Sequence, residues 1–171
     1  MEKPSTARIA LKWGIISAII SIVFTIVLYT FDLWKMVWIA AAFGVAVTVV
    51  ILVLAAKEFK SLNNGFMTFG EGLGMSMLII VVSGLISNAF NQLYVNVIDT
   101  SIKGKITDMQ EEMYVKQGLS EEQISMAMEQ LERFNNPSMQ FLFSMLGTLF
   151  FGFLLSLIIS AIMKKDRPVF E

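Results

Sequence analysis

Long uncharged apolar runs alternate with short polar connections along most of the chain. Four of these runs are long enough to cross a bilayer core of about 30 Å as helices that rise about 1.5 Å per residue. They predict membrane spans at about residues 13–31, 36–56, 72–96 and 138–163. The pattern therefore predicts an all-α fold, an integral membrane bundle of four transmembrane helices that forms a single membrane domain over residues 1–171.

A hydrophilic segment at about residues 99–136 separates the third span from the fourth. Its apolar residues recur at helical spacings in two sets: Ile102, Ile106, Met109 and Met113, then Ile124, Met128 and Leu131. Between the two sets, Gly118 predicts a helix end, and Ser120 with Gln123 matches the S-x-x-Q capping box of a helix start. We therefore expect a two-helix extramembrane insertion between the third and fourth spans.

Small residues repeat at a strict spacing of four along the fourth span: Ser144, Thr148, Gly152, Ser156 and Ser160. Lipid provides little hydrophobic drive between helices, so small residues that let two backbones approach mark a packed face. Shorter series occur on the first and second spans: Gly14, Ala18, Ser21 and Thr25, and Ala40, Gly44 and Thr48. We therefore predict that each of these helices packs into the bundle through its small-residue face.

The third span becomes polar toward its end. Its second half carries amide side chains at helical spacing: Asn88, Asn91, Gln92 and Asn96. One hypothesis is that this polar face lines a cavity or binds a ligand. The alternatives are interhelical hydrogen bonds, worth about 0.6–2 kcal/mol each, or a helix that simply leaves the membrane. The sequence leaves all three open.

Glu71 lies at the start of the third span, inside the glycine-rich stretch FGEGLG. An ionisable group within a membrane is costly and usually functional, so Glu71 is a candidate ion- or proton-coupled carboxylate. The alternative is an interfacial acid that the positive end of the helix dipole favours. Its position at the predicted boundary favours this second interpretation.

The composition of the chain excludes several classes of enzyme. The chain has no cysteine and no histidine, which excludes thiol nucleophiles, imidazole acid–base catalysis and Cys/His zinc sites. No G-x-S-x-G or Walker A element is present. We therefore expect no enzymatic activity, no catalytic residue and no cofactor. The net charge of −1 argues against binding of nucleic acid, because no basic face neutralises phosphates.

Acidic and methionine-rich positions in the insertion are candidate metal sites. Glu111 and Glu112 are adjacent on a helix, as are Glu121 and Glu122, so their side chains diverge by about 100°. A solvated acidic face explains them better than a metal site, and no EF-hand spacing is present. The methionines, Met109, Met113, Met126 and Met128, fit a core between two short helices better than a soft metal site or an adaptable partner surface.

The distribution of basic residues predicts the topology. Eight lysines and arginines share one side of a four-span arrangement: Lys3, Arg8, Lys12, Lys57, Lys60, Lys164, Lys165 and Arg167. Five occupy the other side: Lys35, Lys103, Lys105, Lys116 and Arg133. We therefore expect both termini in the cytoplasm and the insertion, residues 99–136, on the extracytoplasmic side.

The chain resembles the bacterial domain-of-unknown-function 4199 family of small multi-span membrane proteins. The resemblance is carried by three stretches: GFMTFGEGLGMS, LSEEQISMAMEQLERFNNPSMQFLF and GTLFFGFLLSLIISAIMKKD. It covers essentially the whole chain. It implies a membrane protein with no assigned activity, and it supplies no catalytic or binding residue.

Two function hypotheses follow. The first is a non-enzymatic structural or interaction protein of the bacterial inner membrane. It would contact the lipid bilayer and a protein partner or a second copy, through the insertion or the small-residue faces. The alternative is a small transporter or channel that uses the polar face of the third span.

Overall fold

The structure, a computed structural model, describes residues 4–134 and 136–167. These residues form six α-helices and no β-strand. The helices are α1 (Thr6–Thr30), α2 (Val37–Leu62), α3 (Phe69–Leu93), α4 (Ser101–Lys116), α5 (Glu121–Phe134) and α6 (Pro137–Met163). The all-helical prediction is confirmed.

Four of the helices are long and apolar enough to cross a membrane: α1, α2, α3 together with the turn that follows it, and α6. Two of them extend past the predicted apolar runs. α1 begins at Thr6, where the Ser5 hydroxyl accepts a hydrogen bond from the backbone N–H of Arg8, and α2 continues to Leu62. The added turns contain charged residues, Arg8 and Lys12 in α1 and Lys57, Glu58 and Lys60 in α2, so an uncharged run does not include them although their backbones remain helical.

The third helix starts and ends differently from its apolar run. α3 begins at Phe69, ahead of the predicted span, because a capping box at its start fixes the first turn. After Leu93 the chain winds into one π-helical turn, Tyr94–Ile98, closed by the hydrogen bond from the Asp99 backbone N–H to the Tyr94 carbonyl at 2.8 Å.

The chain divides into two compact units. The first contains α1, α2, residues 69–87 of α3 and residues 146–163 of α6. Its buried core is apolar: Ile9, Ala10, Ile51, Leu52, Ala55, Ala56, Phe59, Met67, Met75, Ile79 and Ile159. α1 and α2 also meet through stacked rings of Phe24 and Phe43, whose centroids are 3.7 Å apart.

Close helix contacts in the first unit occur at glycines. A Cβ on Gly14 of α1 would lie 2.9 Å from Val82 of α3, so the prediction of a packed face on α1 is confirmed at this position. On α2 the prediction is wrong at Gly44, which is exposed and has no atom within 4 Å of a Cβ position. α2 is apolar on all sides, and its buried residues begin only at Ile51, so small-residue spacing alone did not identify its inner side.

The second unit spans residues 88–145 and contains the α4–α5 hairpin. α4 ends at Lys116, and the predicted stop residue Gly118 follows two positions later with a φ of +79°, a conformation that glycine adopts without strain. The N–H groups of Gly118 and Leu119 bond back to the carbonyls of Val115 and Tyr114. The capping box at the start of α5 is confirmed by reciprocal bonds between Ser120 and Gln123 at 3.0 and 3.3 Å.

Candidate functional site

A cavity of about 460 Å³ lies where α2 ends, α3 begins and α6 ends. Its walls come from the α2–α3 loop, with Leu62 and Glu71 at the adjoining helix ends, and from residues 165–167 after α6, so we call it the loop–tail cavity. Apolar side chains of the loop form part of the lining. The polar and charged lining residues are Asn63, Asn64, Thr68, Glu71, Lys165, Asp166 and Arg167.

A short antiparallel backbone bridge holds the loop against the tail. The Met67 backbone N–H donates to the Lys165 carbonyl at 2.9 Å, and the Lys165 N–H donates to the Met67 carbonyl at 2.8 Å. The Met67 side chain is buried in the core of the first unit. The bridge therefore fixes the tail to a well-packed point of the loop.

Side chains strengthen this attachment. Asn63 is buried, donates its amide to the Phe66 carbonyl at 2.9 Å and accepts a 2.9 Å hydrogen bond from the Arg167 guanidinium. Lys165 and Arg167 both lie over the Phe66 ring, at 5.4 and 5.8 Å from its centroid. Both cationic side chains are therefore positioned by contacts with the loop.

The sequence alone did not identify Asn63, Lys165 and Arg167 as a group. Asn63 and Arg167 are 104 positions apart, and each belongs to a polar connection of ordinary composition. No local spacing marks such a pairing, because it arises only when α2 and α6 end at the same level.

Glu71 belongs to a capping box at the start of α3. Its carboxylate accepts the Thr68 backbone N–H at 2.8 Å, and the Thr68 hydroxyl accepts the Glu71 N–H at 3.3 Å. The T-x-x-E spacing of Thr68 and Glu71 is the sequence signal for this contact. Glu71 is half-buried and also contributes to the lining of the loop–tail cavity, while its carboxylate stabilises the helix start.

A second ionic contact joins α1 to α2 in the first unit. Glu58 forms an ion pair with Lys12 and accepts the indole N–H of Trp13 at 2.7 Å. Trp13 is half-buried, so its indole is packed while its N–H reaches a charged acceptor. This contact fixes the N-terminal part of α1 to the last turns of α2.

The amide face of α3 lies in the second unit and is hydrogen-bonded. The Asn96 amide donates to the Gln92 carbonyl at 2.7 Å and to its side-chain oxygen at 2.9 Å. Gln92 in turn donates to Gln140 of α6 at 3.4 Å. Asn88 and Asn91 are half-buried, and each makes a polar or ring contact of its own. The amide face therefore includes one interhelical hydrogen bond, between Gln92 and Gln140. Interhelical hydrogen bonding is one of the three interpretations that the sequence left open.

The small-residue face of α6 changes character along its length. Gly152, Ser156 and Ser160 are buried, and a Cβ on Gly72 of α3 would lie 3.2 Å from the Ser160 hydroxyl oxygen. Ser144, by contrast, is exposed, and Thr148 is half-buried. The close approach of α6 to α3 in the first unit thus uses the C-terminal part of the stripe.

Acidic residues do not converge in the part of the chain that the structure describes: no group of three or more is placed to hold a metal ion. The two glutamate pairs singled out in the insertion, Glu111 with Glu112 and Glu121 with Glu122, are all exposed.

Comparison with known protein families matches residues 12–165 to the family described as "Protein of unknown function (DUF4199)". This range includes all of the second unit, most of the first unit and most of the loop–tail cavity lining. Comparisons with curated proteins and with solved structures gave no match.

Proposed function

The chain belongs to the DUF4199 family, whose description assigns no activity, and we propose that it is a non-enzymatic, multi-pass interaction protein of the bacterial inner membrane. In this proposal α1, α2, α3 and α6 span the bilayer, both termini are cytoplasmic, and the α4–α5 hairpin is extracytoplasmic. The hairpin is the part that binds another protein.

Membrane insertion is supported by the surface of the long helices. They expose large apolar side chains that a soluble protein of this size would bury. Examples on three of the helices are Val23, Ile26, Val45, Val50, Phe150, Phe151, Ile158 and Ile162. Contact of these side chains with lipid chains is favourable, whereas their exposure to water is unfavourable.

The observation that carries the interaction proposal is the apolar surface of the hairpin. Met113, Val115 and Met126 are 49%, 60% and 53% exposed on helices that are otherwise mostly polar. We call these three side chains the hairpin patch. Only Ile102 and Ile124 are buried among the described side chains of α4 and α5. Met113 and Val115 are two positions apart on α4 and so point about 200° apart, which makes the hairpin patch a set of separate exposed side chains and not one continuous surface. Exposed apolar side chains on otherwise polar helices are available to a protein partner.

Charge favours a protein over a lipid surface as the occupant of the hairpin patch. The exposed acids of α4 and α5 are Asp108, Glu111, Glu112, Glu121, Glu122 and Glu129. Anionic lipid headgroups would be repelled by this surface, and membrane-binding amphipathic helices are instead rich in lysine and arginine. A protein partner, or a second copy of the chain, is therefore the better match.

The alternative function is a small transporter or channel along the polar face of α3. The hydrogen bonds among Gln92, Asn96 and Gln140 favour a structural use of that face, since groups that bond each other are less available to a passing solute. We therefore keep the interaction protein as the conclusion.

Site-directed photocrosslinking tests the interaction proposal. A photoreactive phenylalanine analogue placed at Val115 in native membranes should give a discrete crosslinked protein band. The same analogue at the exposed Lys105, ten residues or about 15 Å earlier along α4, is the control and should give little product. Absence of any protein crosslink from Val115, Met113 and Met126 would contradict the proposal. A product of twice the chain mass identifies a second copy as the partner.

A further inference from the structure

Two hydroxyl groups of α6 are buried without a hydrogen-bond partner. Ser156 and Ser160 are 0% and 1% exposed, and neither Oγ atom is bonded to another group among the residues that the structure describes. Leaving a buried polar group unbonded costs free energy, so nearly all such groups in proteins are bonded to protein or to ordered water. A partner for these two hydroxyls is therefore expected.

The backbone of α6 does not supply that partner. A serine or threonine hydroxyl within a helix commonly donates to a carbonyl three or four positions earlier. Thr48 of α2 and Ser83 of α3 do so, at 2.8 and 3.3 Å. The hydroxyls of Ser156 and Ser160 do not, although the same carbonyls are within reach on their own helix.

Close contacts at two glycines give the register between α3 and α6 in the first unit. A Cβ on Gly72 of α3 would lie 3.2 Å from the Ser160 Oγ atom, so this hydroxyl lies in the contact between the helices. Two turns later on α3, the Cγ2 atom of Ile80 is 2.5 Å from a Cβ built on Gly152. The contact has moved eight residues forward on α3 and eight backward on α6, so the helices run antiparallel.

This register brings a third buried hydroxyl to the same place. Ser76 lies midway between the two contacts on α3, and Ser156 lies midway between them on α6. The register therefore places Ser76 opposite Ser156, and Ser76 is also buried. We call Ser76, Ser156 and Ser160 the serine cluster.

The serine cluster suits one water molecule. Side chains four positions apart on a helix have Cβ atoms about 5–6 Å apart, and a water bonded to two hydroxyls at about 2.8 Å each spans this distance. Buried waters make about three hydrogen bonds, and Ser76 supplies the third hydroxyl. A hydroxyl both donates and accepts, and the cluster contains no charged side chain, which favours a neutral ligand over an ion.

The loop–tail cavity provides a route to the cluster. Met67 belongs to the lining of that cavity, and its buried side chain reaches the α3–α6 contact. Its Cε atom lies 3.0 Å from the same Cβ position on Gly72 that the Ser160 hydroxyl approaches. Met67 is therefore adjacent to both the cavity and the serine cluster. A methionine side chain has three rotatable bonds and adapts its shape readily, so a change of rotamer opens a path.

We propose that the serine cluster binds one ordered water molecule between α3 and α6, held by the hydroxyls of Ser76, Ser156 and Ser160. The water enters from the loop–tail cavity past the Met67 side chain. The small-residue face of α6 then has two uses: Gly152 permits close packing against α3, and the two serines that follow hold a polar ligand. The site does not depend on the hairpin patch or on a protein partner.

Alanine variants of the full-length protein, purified in a maltoside detergent, test this site by thermal unfolding. The matched control is Ser83→Ala, which makes the same substitution at a hydroxyl bonded to its own helix. Relative to this control, Ser156→Ala and Ser160→Ala should each lower the Tm by about 2–4 °C, the shift expected for one lost hydrogen bond in a chain of this size. Because both serines bind the same water, the double variant should lose clearly less than the two single losses combined.

Water-edited solid-state NMR of the full-length protein in phosphatidylcholine bilayers detects the ligand directly. Magnetisation from water protons should reach the Cβ atoms of Ser156 and Ser160. It should not reach the side chain of Ile159, which lies between them in the sequence and is buried in the apolar core. Equal transfer to Ile159 would show general wetting of α6 and would contradict a specific site.

The other contrary results are equally distinct. A higher Tm in Ser156→Ala and Ser160→Ala than in Ser83→Ala would show that the two hydroxyls are dry and unbonded. A Tm equal to that of the control would show that they bond to their own helix. Additive losses in the double variant, or no transfer from water to either serine, would likewise overturn the proposal.

Discussion

Gly152 of α6 lies directly against Ile80 of α3. A Cβ built on Gly152 would be 2.5 Å from the Cγ2 atom of Ile80, a separation that side-chain atoms do not tolerate, and Ile80 is itself buried. The absence of a side chain at position 152 therefore sets the distance between the two helices in the first unit.

Gly152→Ala should accordingly destabilise the protein. Overpacking a close contact costs about 1–3 kcal/mol, which exceeds the roughly 0.5–1 kcal/mol that alanine gains over glycine within a helix. Gly147→Ala on the same helix is the control, because no atom lies within 4 Å of a Cβ at that position. It should be neutral or slightly stabilising. Thermal unfolding in detergent measures both, and equal effects would contradict the packing argument.

Glu71 should contribute to stability as a capping residue. Glu71→Gln keeps an oxygen for the Thr68 N–H, so its free energy of unfolding should stay within about 0.5 kcal/mol of the unmodified chain. Glu71→Ala should lose about 1 kcal/mol. Gln123→Ala, which removes the equivalent contact at the start of α5, should lose a similar amount. A loss in the glutamine variant as large as in the alanine variant would show that the charge, and not the cap, is required.

Trp13 and Trp34 offer a matched pair. Each donates its indole N–H to a carboxylate, at 2.7 Å to Glu58 for Trp13 and at 3.1 Å to Asp32 for Trp34. Only the first contact joins two helices. Trp13→Phe should lower the free energy of unfolding by about 1 kcal/mol, a moderate value because Glu58 is partly exposed. Trp34→Phe should change it by less than about 0.5 kcal/mol. The reverse order in chemical unfolding would contradict this assignment.

The polar face of α3 should act in packing. Gln92→Leu removes the bonds with the side chains of Asn96 and Gln140 and should cost about 1 kcal/mol. Gln130→Leu on exposed α5 is the control and should be near neutral. In proteoliposomes, the unmodified chain should show no ion flux above that of empty vesicles. A flux that Gln92→Leu abolishes would favour the transporter alternative.

Much of the fold could be predicted from the sequence, because four long apolar runs leave few alternatives to helices. The end of α4 and the start of α5 could also be predicted from the sequence. Gly118, and the pair Ser120 and Gln123, follow local rules that depend on residues only a few positions apart. The start of α3 follows the same rule through Thr68 and Glu71, but the span was predicted from hydropathy to begin only at residue 72. Local chemistry was therefore a reliable guide to where these elements begin and end.

Long-range pairing could not be predicted in the same way. Small-residue spacing did not distinguish Gly152, which touches Ile80, from Gly44, which faces open space. Both lie on helices that are apolar all round, so the pattern does not show which face is packed. The bridge between Met67 and Lys165 is a backbone contact and leaves no side-chain signature. The loop–tail cavity depends on that bridge and became visible only in the structure.

Cysteine accessibility tests the central claim, a multi-pass membrane protein with the α4–α5 hairpin on the side opposite both termini. The chain has no cysteine, so each introduced thiol reports alone. In intact cells, an impermeant maleimide should label Gln117→Cys on the hairpin, and should label Ser5→Cys and Lys164→Cys only after the membrane is permeabilised. Labelling of Gln117→Cys only after permeabilisation, or release of the protein from membranes by carbonate, would contradict the account.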